Sequence, residues 1–318
     1  MRIRAIGAGV AAAVLLAGCS ATEMVDPEPL AETAPPVHAE DHRYDLDYAP
    51  DSPAQRLDLH VPAGTGPAPL VVFLHGGDWR GGDKSDVDRN GRAALLRAGY
   101  AVASVNYRLT AEARWPAAAQ DAKAAVRWLR AHARQYHLDP RRVAVLGMAS
   151  GGYLAAAVAL TGDRPSVFDP PGAPPGSDAV QAAVLWSAPT DFASLDRQLA
   201  AAGCPAPPVP HGHPNSAVSA WLGAPVRGNG PRVRQAGLLG HVRATPPPFL
   251  LLHGSADCTV PPAQSEALHR ALRRAGGDST YPRVRGALGP RDGGARLRAT
   301  IGFLNETLRQ AADRPHTP

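Results

Sequence analysis

Val143-Ala144-Val145-Leu146-Gly147-Met148-Ala149-Ser150-Gly151-Gly152-Tyr153-Leu154 is the stretch on which the fold of this chain turns. Four consecutive apolar residues, Val143 to Leu146, read as a strand buried on both faces. The run Tyr153 to Leu160 reads as a helix. Between them, Gly147 and Gly151 bracket a tight turn, where missing side chains let strand and helix approach closely. A buried strand, a sharp turn and a helix make one repeat of a parallel sheet covered by helices.

The same grammar extends in both directions. Arg56 to Val61 alternates as a half-exposed strand, and Leu70 to Leu74 is a continuous apolar run. Tyr100 to Arg108, Val180 to Trp186, Phe249 to Leu252 and, more weakly, Tyr281 to Val284 read as further strands. Helices are expected at Arg92 to Ala98, stopped by Gly99, from Pro116 to about Tyr136, at Pro262 to Ala275 and at Leu297 to Leu308. This alternation predicts an α/β fold with a doubly wound, mostly parallel sheet. Residues 192 to 245 interrupt it with five prolines between 205 and 214 and a short helical patch near Ser216 to Leu222. We read them as an inserted cap over the carboxyl ends of the strands, because a structureless loop of that length is improbable in a compact domain. Chemistry in such sheets lies at those ends. The loops at 75–78, 147–152 and 254–260 all begin there.

The front of the 318-residue chain has its own logic. Arg2 and Arg4 precede an apolar run from Ala5 to Leu16. That run is short for a membrane span and suits a signal peptide, residues 1–18. It closes with Leu16-Ala17-Gly18-Cys19, which resembles the bacterial lipobox and implies a lipidated Cys19. An ordinary secretory signal with an incidental cysteine is the alternative. The expected location is the bacterial cell envelope, lipid-anchored on the outer face of the cytoplasmic membrane, or secreted. Residues 19–41, rich in proline, alanine and acid, read as a flexible tether ahead of a domain at 42–312. With Cys19 set aside, Cys204 and Cys258 form an even pair in an oxidising compartment; a disulfide is favoured over two separate buried thiols. Net charge is +5, but the basic residues are scattered rather than striped with aromatics, so no nucleic-acid partner is expected.

Several motifs stand in a familiar order. His75-Gly76-Gly77 is followed by Arg80 to Lys84; Trp115-Pro116 and Asp121 open the helix before the turn at 147–152. His253-Gly254, Asp257 and Val260-Pro261 close the set. Together they resemble the α/β-hydrolase family, specifically the esterase/lipase branch related to hormone-sensitive lipase and feruloyl-esterase-like carboxylesterases. The resemblance implies a serine nucleophile in a G-x-S-x-G elbow, a histidine base and a carboxylate that orients it. It places the acid at Asp257, and the oxyanion donors at Gly76, Gly77 and the N–H of Ser150. No cofactor and no metal are implied.

Two of the three reacting groups are replaced. The nucleophile position holds Ala149, and the histidine position, in Gly286-Ala287-Leu288-Gly289-Pro290, holds Gly289. Ser150 is a weak alternative nucleophile, one residue out of frame. His211 and His213 in the cap form an H-x-H pair without the acidic or cysteine neighbours a metal site needs. Three readings follow. The chain is a degenerate hydrolase binding an ester- or acyl-like small molecule or a partner, an active carboxylesterase using Ser150 with an unusual base, or a non-catalytic envelope interaction module.

Overall fold

The computed structural model describes residues 38–87, 89–172, 175–228, 230–286 and 293–309. Cys19, the tether up to residue 37 and Gly289 therefore lie outside the described residues.

Nine strands form one sheet: β1 (Asp41–Asp47), β2 (Arg56–Val61), β3 (Ala68–Leu74), β4 (Ala101–Val105), β5 (Leu138–Met148), β6 (Ala182–Trp186), β7 (Phe249–Gly254), β8 (Ser279–Thr280) and β9 (Arg283–Val284). Their order is β1-β2-β4-β3-β5-β6-β7-β8, with β9 also on β7. All pairs from β4 onward across the sheet are parallel; β1–β2 and β2–β4 are antiparallel. The apolar runs of β3 and β7 are buried along their whole length, as strands covered on both faces must be.

Side chains alternate between the two faces. Val72, Val145, Leu185 and Leu251 face one core, which also takes α2 (Ala117–Ala131) and α3 (Ser150–Thr161). Phe73, Leu146, Val184 and Leu252 face the other, under α1 (Arg89–Arg97) and α8 (Gly293–Leu304). Every residue of α3 is buried, so this helix needs no polar stripe and its sequence carries almost none.

The sequence reading differs at some edges. His38 already pairs with Gly64, so order begins before 42, and β1 was not expected. Its residues are mostly exposed and polar, as befits an edge strand, which hides it from any search for apolar alternation. Lys84 holds it from behind, with Nζ 3.1 Å from Asp45 and 2.8 Å from Asp58. The helix from Pro116 stops at Ala131, and residues 132–137 turn into β5, with His137 at φ 52°.

The insertion at 192–245 contains three short helices, α4 (Leu195–Ala201), α5 (Ala217–Leu222) and α6 (Pro231–Ala236), and α7 (Ala263–Arg274) follows β7. Trp221 of α5 stacks on Trp79, with ring centroids 3.8 Å apart and planes 7° from parallel. Tyr153 and Phe192 pack edge-on against that pair and tilted against each other. The expected disulfide is present: Cys204, just after α4, is joined to Cys258, with Cα atoms 5.5 Å apart.

Closing a loop of 54 residues in the unfolded chain gives this disulfide a stabilising effect of about 4 kcal/mol in the chain-entropy view. Cys204→Ser is expected to lower the urea midpoint without reductant and to make it insensitive to reductant. Equal midpoints for wild type and variant in non-reducing urea titrations would count against this role.

Candidate active site

The turn after β5 has the geometry of a nucleophile elbow. Ala149 sits at φ 50° and ψ −117°, a conformation that non-glycine residues hold only when their surroundings enforce it. Its N–H donates to the Trp186 carbonyl at 2.8 Å, and its carbonyl accepts the first helical bond, from Tyr153 at 3.1 Å. The flanking glycines are obligatory. A Cβ on Gly147 would fall 2.1 Å from the Gly151 carbonyl oxygen, and one on Gly151 would fall 2.1 Å from the carbonyl oxygen of Leu74. Ala149 is half-exposed, whereas the next residue, Ser150, is buried.

The oxyanion loop lies alongside. A Cβ on Gly76 would stand 3.7 Å from Ala149 Cβ. The Gly77 carbonyl turns back to accept the N–H groups of Arg80 and Gly81, at 2.9 and 3.1 Å. Among the described residues, no acceptor takes the N–H of Gly77 or of Ser150. The Ser150 N–H precedes the helical ladder and lies at the positive end of a buried helix, where a developing negative charge is stabilised.

The Ser150 hydroxyl does not share this placement. It is buried, faces the Tyr107 hydroxyl and makes no hydrogen bond of normal geometry. Tyr107 donates instead to the His75 carbonyl at 2.7 Å, and burial raises its phenol well above the ordinary range. Ser150 thus points beneath the oxyanion loop, away from the half-exposed tip.

Asp257 occupies the expected acid loop. Its Oδ1 accepts from the N–H groups of Thr259 and Val260, at 2.9 and 3.0 Å, and its Oδ2 is 3.6 Å from His253 Nε2. The segment leading toward Gly289 reaches this loop, since Ala256 donates to the Gly286 carbonyl at 3.0 Å and Ser255 to that of Val284 at 2.8 Å.

The histidines of the motifs are already engaged. His253 Nε2 donates to the Val260 carbonyl at 2.8 Å, which leaves Nδ1 to accept from the Ser265 hydroxyl at 2.7 Å. His75 Nδ1 donates to the Gly76 carbonyl at 2.8 Å, and its ring stacks on Tyr107. Burial lowers both imidazoles from 6.5, so both are neutral at pH 7. In the cap, His211 Nδ1 pairs with Asp196 at 2.9 Å, and His213 Nδ1 accepts from the Asn215 N–H at 3.1 Å. Among the described residues, no cluster of three or more His, Cys, Asp or Glu is arranged to hold a metal ion.

Sequence reading missed Ser187. It follows β6 directly, its backbone is at φ 51°, and its buried hydroxyl has no partner. Asp78 and Trp79 share positive φ, at 55° and 56°. Four strained residues thus gather at the carboxyl ends of three adjacent strands, β3, β5 and β6. Apart from Asp78, none of the four is a residue type enriched at positive φ, so their own identities give little notice of it.

Comparison with known proteins follows the same outline. The family described as BD-FAE matches residues 57–272. The chain is 30% identical to Esterase LipC of Mycobacterium tuberculosis over 240 residues, covering 70% of this chain and 53% of LipC. It is 29% identical to that organism's probable carboxylic ester hydrolase LipM over 239 residues, covering 73% of this chain and 52% of LipM. The chain therefore spans about half the length of the curated relatives it matches. Among solved structures, a truncated form of a carbohydrate esterase from gut microbiota superposes with a TM-score of 0.74 at 28% identity, covering 85% of this chain and 96% of that one. A bifunctional GH43-CE protein of Bacteroides eggerthii superposes with a TM-score of 0.71 at 25% identity, covering 84% of this chain and 38% of that one.

The lowered imidazoles set a pH dependence. In the unfolded chain His75 and His253 take up protons near pH 6.5, but the folded chain resists until lower pH. The unfolded state then binds more protons, so their stabilising contribution is complete above pH 6.5 and is lost as pH falls below it. Urea midpoints measured from pH 7.5 down to 5 are expected to fall, and His253→Gln is expected to make that fall shallower. An unchanged pH slope in the variant would contradict the assignment.

Proposed function

The chain belongs to the BD-FAE family of esterase-type α/β-hydrolases, and from that premise we propose that it is a catalytically degenerate member that binds an ester- or acyl-like ligand without turning it over. One observation carries this reading. Ala149 stands at the strained tip of an intact elbow, beside unused N–H groups at Gly77 and Ser150, yet supplies no hydroxyl.

The binding parts and the reacting parts separate cleanly. An ester carbonyl placed above Ala149 would accept from the Gly77 and Ser150 N–H groups, which need no rearrangement to receive it. Attack on that carbonyl needs a nucleophile and a base. Ser150 offers a hydroxyl turned beneath the loop toward Tyr107, His253 has both ring nitrogens engaged, and His75 is buried with its Nδ1 on the Gly76 carbonyl. Losing either serine or histidine from such a triad costs on the order of 10⁶-fold in turnover. The position that would hold the base is Gly289. The membrane is the further partner we propose, through a lipidated Cys19 that tethers the domain to the outer face of the cytoplasmic membrane.

Purified residues 38–318 are expected to hydrolyse p-nitrophenyl acetate and butyrate no faster than the Ser150→Ala variant, and to resist labelling by a fluorophosphonate probe. Turnover or labelling that Ser150→Ala abolishes would overturn the degenerate reading. The paired substitution Ala149→Ser with Gly289→His is expected to gain esterase activity. In the full chain, Cys19→Ser is expected to release the protein from membranes; unchanged membrane association would argue against lipidation.

A further inference from the structure

Away from the elbow, at the first edge of the sheet, two histidines face each other across an antiparallel pair. His42 of β1 stands directly opposite His60 of β2. Their Nδ1 atoms are 2.9 Å apart, and their ring centroids 4.9 Å apart with planes at 63°. His60 is buried and meets the Tyr44 ring edge-on, whereas the His42 side chain is 41% exposed. Neither ring takes part in the role proposed above.

The proton between them has a definite place. His42 Nε2 lies 3.3 Å from the Glu40 carboxylate, which only accepts, so Nε2 carries the hydrogen. A neutral His42 then presents a bare Nδ1, and His60 Nδ1–H donates to it. His60 Nε2 is left without a hydrogen, buried and with no partner.

The spacing suits a metal ion as well as it suits this proton. Nitrogen ligands at about 2.0–2.1 Å from a metal stand about 2.9 Å apart when set at right angles, and about 3.3 Å apart when tetrahedral. The observed separation fits the right-angled set with no movement of the strands. Glu40 completes the arrangement, because a ligating histidine usually donates its other ring N–H to a carboxylate, which fixes the ring and raises its basicity. The surrounding charges are mixed. Lys84 is tied to Asp45 and Asp58, and Arg92 of α1 is a further cation close enough to act on His60. That setting disfavours an ion held by charge alone and favours one held by bonds to nitrogen.

We propose that His42 and His60 form a binding site for a divalent copper ion, with water in the remaining positions of a square-planar set. Copper is chosen by this geometry and by its rank among divalent metals at nitrogen sites. Two protein ligands hold it, fewer than the three-residue clusters that are absent among the described residues. On binding, the His60 hydrogen exchanges from Nδ1 to the bare Nε2, so both Nδ1 lone pairs reach the ion and no proton is released. The ion bridges β1 to β2 and pins an edge strand whose one neighbour in the sheet is β2.

The test uses the purified full chain carrying Cys19→Ser, which leaves no free thiol, since the other two cysteines are joined. Calorimetric titration with CuCl2, NiCl2, ZnCl2 or MgCl2 in a non-chelating buffer is expected to show one copper site, weaker binding of nickel and zinc, and none of magnesium. The copper EPR spectrum is expected to show two coordinated imidazole nitrogens. His42→Ala is expected to lower copper affinity roughly a hundredfold and Glu40→Gln about tenfold. His213→Ala, in the cap, is expected to leave it unchanged. Saturating copper is expected to raise the thermal midpoint of the parent but not that of His42→Ala. Circular dichroism checks the fold of each variant, and His42→Asn repeats the removal with a smaller polar side chain should alanine unfold the edge. Copper affinity and EPR left unchanged by both substitutions of His42 would mean adventitious binding at other histidines only, and would overturn the site.

Discussion

A carbonyl oxygen and a methyl group cannot occupy the same space, and that exclusion at Gly147 and Gly151 governs the centre of this molecule. With hypothetical Cβ contacts of 2.1 Å on both sides, the end of β5 and the start of α3 meet backbone to backbone. The turn between them has too little room for relaxed dihedrals, so Ala149 is driven to φ 50°. The same tightness places the start of α3 under the oxyanion loop, where a Cβ on Gly151 would also strike the His75 carbonyl. Strand, loop and helix are therefore fixed by one another.

Strain that persists must be compensated by the surroundings. Here the compensation is burial: α3 is covered along its full length, and Trp79, Tyr153, Phe192 and Trp221 lock the oxyanion loop to the cap. Disulfide Cys204–Cys258 adds a covalent link between the cap and the loop carrying Asp257. The site is thus held from three sides, and its N–H donors stay aimed without any contribution from a nucleophile. Such preorganisation serves ligand binding as well as it serves catalysis.

What could be read in the sequence follows from what leaves a local signal. Apolar runs such as Leu70 to Leu74 and Phe249 to Leu252 announce strands buried on both faces, and the glycine frame at 147–151 announces the elbow. The even cysteine pair announced its partner. β1 escaped because an exposed edge strand carries charge instead of alternation. Ser187 escaped because positive φ in a serine is imposed by tertiary packing between β5 and β7, not by its own preferences.

The family's groups that remain share a second employment. Asp257 ties down its own loop by accepting from Thr259 and Val260, so it would be needed even with no histidine to orient. His253 bridges Val260 and Ser265, and His75 braces the Gly76 carbonyl against Tyr107. Gly147 and Gly151 are required by contact alone. A serine hydroxyl at position 149 would be different, since a half-exposed side chain at the tip of the turn holds nothing together; alanine there leaves the backbone as it is. Substitution at this site therefore separates the two kinds of work. Groups that support the fold stand and alanine holds the tip of the turn, which is what the proposed binding role without turnover would leave.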